Sequence, residues 1–263
     1  MEINVLWLYP DKMNLHGDRG NMMALSEIAD AMDITLNIKR ANSSSEADDL
    51  DDTDFIYIGS GQMGHMQTLT NDLKKIENKL KNYIENNGYF LVTGSSGCMI
   101  SKSFTRYDGT TTNGLGFIDM TANELNRTKM PYVTKEVYGD DILFKTNDDI
   151  EIVGCQIQCM DFDLKNNDAF GKVIYGYGNN TTDGKEGARY KNLIFTNTVG
   201  PLLSLNPWLG IKILSDISEK KGVSMKDFDE NKVSYMNYAR ESMKLKKQFI
   251  KEKFKLPGLR SDI

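Results

Sequence analysis

Tyr89-Phe90-Leu91-Val92-Thr93-Gly94-Ser95-Ser96-Gly97-Cys98 is the stretch on which the fold turns. Its first five residues read as a buried strand, and the small residues behind them turn the chain at once toward a helix. Upstream, Phe55-Ile56-Tyr57-Ile58 runs into Gly59-Ser60-Gly61-Gln62-Met63-Gly64 in the same manner. Between the two, residues 73–86 carry an amphipathic helical pattern closed by Asn87-Gly88. Further out, residues 3–9 form a short apolar strand and residues 21–32 hold apolar side chains at helical spacing. Strands separated by helices imply parallel βαβ units, so the expectation is an α/β fold. A mostly parallel central sheet would lie between two layers of helices.

The middle of the chain reads differently. Short strands at 131–137, 142–145 and 150–153 are separated by the turns Gly139-Asp140-Asp141 and Thr146-Asn147-Asp148-Asp149, which suggests hairpins. Residues 176–187, rich in glycine and asparagine, read as a loop, and residues 193–196 return as a strand. Helices are expected at 207–217 and 234–254. With no repeat and no linker, residues 1–220 form one domain and residues 221–263 a helical C-terminal extension.

Composition narrows the function classes. The 263 residues carry a net charge of -5, which argues against a general nucleic-acid binder. The basic run Lys244-Leu245-Lys246-Lys247-Gln248-Phe249-Ile250-Lys251-Glu252-Lys253 is a local exception, either a solvated helix face or a dock for an acidic partner or lipid headgroups. No apolar run approaches the roughly 20 residues of a membrane span. The N-terminus lacks the pattern of a signal peptide, and Cys98, Cys155 and Cys159 are too few for a disulfide scaffold. A reducing cytoplasm is the expected location.

Ligands of parallel α/β sheets bind at the carboxyl ends of strands. Gly94-Ser95-Ser96-Gly97 stands where a nucleophile elbow would lift one side chain into the open. The loop Gly59, Ser60, Gly61 and Gln62 could supply backbone N–H groups to an oxyanion or hold a ligand. Asp18 and Asn21 read first as caps of the helix that follows them.

Several further motifs carry a resemblance. Tyr9-Pro10 through Asn14-Leu15-His16-Gly17-Asp18-Arg19-Gly20-Asn21 is one; Gly176-Tyr177-Gly178-Asn179-Asn180, Lys185-Glu186-Gly187, Tyr190-Lys191-Asn192-Leu193 and Gly200-Pro201-Leu202-Leu203 are others. Gly114-Leu115-Gly116 and Asn126-Arg127 fit as well. Over about residues 1 to 220 the chain resembles the class I glutamine amidotransferases of the cobyric-acid-synthase-like (CobB/CobQ) type. It is most similar to the branch that serves a MurT-like Mur ligase as its glutaminase subunit. The resemblance implies a three-layer, flavodoxin-like amidotransferase domain, a heterodimer with that ligase, and a part in amidating the D-glutamate of lipid II for peptidoglycan. Contact with the membrane would be peripheral, through the partner's lipid II substrate.

The same resemblance implies a cysteine at the elbow and a histidine before Gly200-Pro201, where this chain holds Gly94 and Val199. A third family segment with a glutamate and a histidine reads Gln156 and Gln158 here. Thiol chemistry on glutamine needs a thiolate and an imidazole beside it. The expectation is therefore a family subunit unable to hydrolyse glutamine. Alternatives are a hydrolase with a relocated nucleophile, Ser96 or Ser95 served by His65, and a non-catalytic module that binds a small metabolite. Cys98, one turn into the next helix, reads as packed rather than reactive. Cys155 and Cys159, expected on one face of a strand, lack the second ligand pair of a zinc site, so neither metal nor cofactor is expected. In the resembled subunit the arginine at Arg127 belongs to the active-site or partner face; an exposed surface arginine is the other reading.

Overall fold

The structure is a computed structural model and describes residues 1–47, 49–125 and 140–253. Its centre is a six-stranded sheet formed by β1 (Glu2–Leu8), β2 (Thr35–Ala41), β3 (Phe55–Ile58), β4 (Tyr89–Thr93), β13 (Ala188–Tyr190) and β14 (Leu193–Thr196). The spatial order is β2-β1-β3-β4-β14-β13. All neighbours run parallel except β13, which pairs antiparallel with β14. Taking β14 as the fifth parallel strand, the order is the 2-1-3-4-5 of flavodoxin-like doubly wound sheets.

The period of two in each strand separates the layers. Phe55 and Tyr57 of β3 face the same side as Tyr89 and Leu91 of β4, against Leu25 and Ile28 of α1 (Arg19–Ala31). Leu209, Ile213 and Ile217 of the helix Pro207–Lys220, α6 here, complete that layer. Ile56, Ile58, Phe90 and Val92 face the opposite side, against α2 (Met63–Leu73), α3 (Glu77–Glu85) and α4 (Gly97–Ile100). Each fully buried Leu, Ile or Phe in these layers stabilises the fold by about 1.5–3 kcal/mol.

Two smaller sheets flank the first. β5 (Ser103–Thr105), β6 (Thr111–Asn113), β7 (Thr121–Glu124) and β10 (Met160–Asp163) form one in the order β10-β7-β5-β6. β8 (Asp140–Thr146), β9 (Glu151–Gln156), β11 (Gly171–Tyr175), β12 (Lys185–Glu186) and β15 (Thr198–Val199) form an antiparallel sheet in the order β12-β11-β8-β9-β15. Only Asn197 separates β14 from β15, so the chain leaves the central sheet and enters the antiparallel one within a single residue. The short helix α5 (Leu202–Leu205) and α7 (Met236–Lys253) follow. Met243 and Ile250 of α7 pack on Leu143, Val153 and Tyr175, while Lys246 pairs with Asp141 and Lys247 with Glu151. Among the described residues no helix is long and apolar enough to cross a membrane.

Several expectations change. The helix expected over 73–86 begins at Met63, tightens into a 3-10 turn at Lys74–Ile76 and resumes as α3. β2 is an additional strand that the sequence does not signal: it lies at the sheet edge, only Ala41 is fully buried, and its alternation is faint. The loop expected over 176–187 contains the short strand β12. β9 ends at Gln156, so Cys155 and Cys159 do not share a strand face. The strand expected at 131–137 lies outside the described residues.

Candidate functional site

Three strand ends meet at the Asp18 carboxylate, which is fully buried. It accepts bonds from Ser60 N–H behind β3 (2.9 Å), from the Thr93 hydroxyl at the end of β4 (3.2 Å) and from His16 N–H behind β1 (3.1 Å). Burial raises its pKa above the usual carboxylate value, while the bonds from Ser60 and His16 oppose that shift. Asp18 occupies the N-cap position of α1, yet its side chain caps nothing. Asn21 is no cap either: its Nδ2 donates to the Tyr57 hydroxyl (2.7 Å) and Gly200 O (3.1 Å), and its Oδ1 accepts from Leu203 N–H (2.9 Å). Both residues tie loops together instead of ending a helix, because the buried strand ends offer donors that solvent would otherwise satisfy.

At the end of β4 the backbone turns with Gly94 at φ +59°. A Cβ there would lie 2.7 Å from Ser60 Oγ and 2.8 Å from Val199 Cγ1. The elbow geometry is present, and a side chain at 94 would point at the side chain at 199. Neither residue carries an ionisable group. Val199 reaches this place through β15, whose register sets Val199 opposite Cys155 and Thr198 opposite Gln156.

Gln156 and Gln158 are also brought here, and they satisfy one another. Gln156 Nε2 donates to Gln158 Oε1 and to Gly178 O (2.6 Å), and its Oε1 accepts from the N–H groups of Tyr177 (3.2 Å) and Gly178 (3.3 Å). Gln158 Nε2 donates to Met160 O (2.6 Å) and Asn179 O (3.2 Å). Both amides are buried and neutral. Their work is to hold the loop over 176–180.

Beside them lies a carboxylate whose role sequence reasoning missed. Glu186 has no exposed surface; it accepts from the Thr196 hydroxyl (2.6 Å), Asn197 N–H (2.8 Å) and Asn197 Nδ2 (3.1 Å). Burial raises its pKa, with the bonds from Thr196 and Asn197 opposing. It therefore fixes the crossing from β14 to β15. Lys185-Glu186-Gly187 stood out as a motif, but two polar residues beside a glycine give no sign of burial.

Above the elbow opens a cavity of about 360 Å³. His16, Ser60, Gly61, Gln62, Gly94 and Ser95 line it, together with Ile157, Gln158, Cys159, Met160, Phe162 and Asn197. Glu124 at the rim accepts from Arg106 Nε at 2.5 Å. Burial lowers the pKa of His16, with Asp18 acting in the opposite sense, so the neutral imidazole is favoured there.

The relocated nucleophiles find little support in this geometry. The buried Ser96 hydroxyl donates to Gly59 O. Ser95 Oγ donates to Gly61 O at 2.7 Å and accepts from Gly61 N–H at 3.0 Å. His65, on α2, does not line the cavity, and its Nδ1 is buried with no hydrogen-bond partner among the described residues. Cys98 is completely buried, which pushes its thiol pKa well up. No group of three or more metal-ligating side chains occurs among the described residues. Arg127 lies outside them.

Residues 4–206 match the model of the CobB/CobQ-like glutamine amidotransferase domain. The chain belongs to that family. Two similar proteins of the family are GatD subunits of lipid II isoglutaminyl synthase (glutamine-hydrolyzing). The one from Staphylococcus aureus is 32% identical over 223 residues, 84% of this chain and 87% of its own length. The one from Streptococcus pneumoniae is 27% identical, covering 84% of this chain and 82% of its own. A solved glutamine amidotransferase from Thermotoga maritima covers 94% of this chain and 97% of its own at 11% identity, with a TM-score of 0.49. Within the matched span, the turn after β4 and the position it faces are held by Gly94 and Val199.

Proposed function

We propose that this chain is a GatD-type subunit of a lipid II-amidating synthase that has given up glutamine hydrolysis and acts as the structural partner of a MurT-like Mur ligase in the cytoplasm. Cysteine glutaminases attack the carboxamide carbon with a thiolate, expel ammonia as an imidazole supplies its proton, and hydrolyse the thioester left behind. Here Gly94 has no side chain with which to form that thioester, and Val199 can neither take nor give a proton. The observation that carries the reading is the contact a Cβ at 94 would make with Val199 Cγ1, 2.8 Å away, which supports taking these two positions as the facing pair. Ligation by the pair then draws on free ammonia. The chain's family, the GatD naming of the two relatives and their coverage of 84% of this chain support the subunit role.

The test is co-purification with the Mur ligase-like partner, followed by two assays. Glutamate release from glutamine should be absent, while ammonium should support amidation of lipid II. Glutamate release by the pair that survives removal of contaminating glutaminases would overturn the loss of hydrolysis. Failure to form any complex would overturn the subunit role.

A further inference from the structure

The Ser95 hydroxyl sits between the elbow and the β3–α2 loop with every hydrogen-bonding site in use. It has one proton and two acceptor positions. The proton goes to Gly61 O at 2.7 Å, and one acceptor position takes Gly61 N–H at 3.0 Å. Since the Ser95 proton is already placed, the 3.3 Å contact with Ser60 Oγ has Ser60 as donor. The loop's amide and hydroxyl thus both point at a side-chain oxygen of the protein's own. In a hydrolase a donor at such a strand end would face the oxygen of a bound carbonyl.

We propose that Ser95 is a built-in stand-in for a ligand carbonyl, a latch that closes the amide-recognising part of the cavity and makes this pocket reject carboxamides. The inference rests on the reading above of the cavity as the remnant of a glutamine pocket. It goes further by naming the residue that sets what the remnant binds. Three independent features act in the same direction. Ser60 and Val199 fill the space in front of Gly94, Gln156 and Gln158 satisfy each other, and Gly61 N–H is taken by Ser95. Loss of the catalytic pair alone would leave the N–H of Gly61 open to a ligand. With the latch in place a carbonyl has to displace a hydroxyl that makes three bonds at once.

Removing the latch gives the reverse prediction. Ser95→Ala leaves Gly61 N–H and Ser60 Oγ without their acceptor, so an added carbonyl oxygen can supply it. The experiment is calorimetric titration and thermal unfolding of wild type and Ser95→Ala with L-glutamine, and with L-glutamate and L-leucine as controls. Wild type should give no heat of binding and no shift in Tm with glutamine. Ser95→Ala should bind glutamine at least tenfold more tightly than wild type and gain Tm with it, the controls having less effect. Ser95→Cys, which keeps a weaker acceptor in place, should fall between them and serves if the alanine variant does not fold. Glutamine binding by wild type equal to that of both variants would overturn the latch and leave the absence of hydrolysis untouched. Glutamate production by wild type would overturn the reading of the catalytic pair instead.

Discussion

Gly94 turns the chain sharply at the end of β4, and its φ of +59° is a conformation that L side chains rarely adopt. Gly94→Ala adds a methyl that would stand 2.7 Å from Ser60 Oγ and 2.8 Å from Val199 Cγ1. Left-handed strain and overpacking together should lower stability by about 2–4 kcal/mol, read from urea unfolding. Because one of the clashing atoms belongs to Val199, the effects should couple. In the Gly94→Ala/Val199→Ala cycle the double variant should recover at least about 0.5 kcal/mol relative to additivity; strict additivity would show that the two side chains do not meet. Glu186 supplies a second prediction at this scale. Its pKa is raised by burial above the ordinary glutamate value of 4.5, so in the window just above that value the folded state binds more protons than the unfolded one. Stability from this group is then present at low pH and falls as pH rises through the raised pKa. Comparison of wild type with Glu186→Gln across that window should show the falling component only in wild type. A stability difference between the two that stays constant with pH would refute it.

The elements were legible where burial is two-sided. β3, β4 and β14 were read at their observed limits, since Phe55–Ile58, Tyr89–Thr93 and Leu193–Thr196 are buried throughout and leave unbroken apolar runs. β2 was not legible, because an edge strand shows an apolar side chain only at alternate positions. α2 was missed at its start, where Gly64 and His65 blur the apolar spacing of Met63, Met66, Leu69 and Leu73. At the site, sequence alone singled out Gly94, Val199 and the loop at Gly59, and the structure brings Gly94 against both Val199 and Ser60. It could not foresee that Asp18 and Asn21 cross-link loops, since their partners Ser60 and Gly200 lie 42 and 179 residues away, or that Glu186 is sealed, since nothing in its local sequence marks burial. The C-terminal helix α7 was placed correctly, but its basic run gave no hint that Lys246 and Lys247 are held by Asp141 and Glu151. Its anchor is Ile250, which is 3% exposed against Leu143, Val153 and Tyr175. Ile250→Ala should lower stability by about 2–4 kcal/mol, whereas the same change at Leu245, 62% exposed, should shift it by less than about 0.5 kcal/mol. Equal effects at the two positions, measured by thermal unfolding, would mean that α7 does not dock by this face.

Across the molecule the central and antiparallel sheets share one core. Ile142, Phe144, Ile152 and Phe170 from β8, β9 and the segment before β11 pack in the same cluster as Leu25, Tyr57 and Leu91. The two sheets should therefore unfold together: scanning calorimetry should give a calorimetric enthalpy equal to the van't Hoff value. Two resolved transitions would show that the antiparallel sheet melts on its own. Among the described residues the central sheet ends in two strands of unlike character. β13 is three residues long, too short to template another strand. β2 spans seven residues, pairs among the described residues with β1 alone, and presents the exposed Lys39 and Arg40. Charged side chains on an open edge discourage a second sheet from growing onto the first. The central sheet is thereby protected against runaway strand-on-strand polymerisation along β2, so a partner that docks there should do so through side chains instead of a backbone ladder.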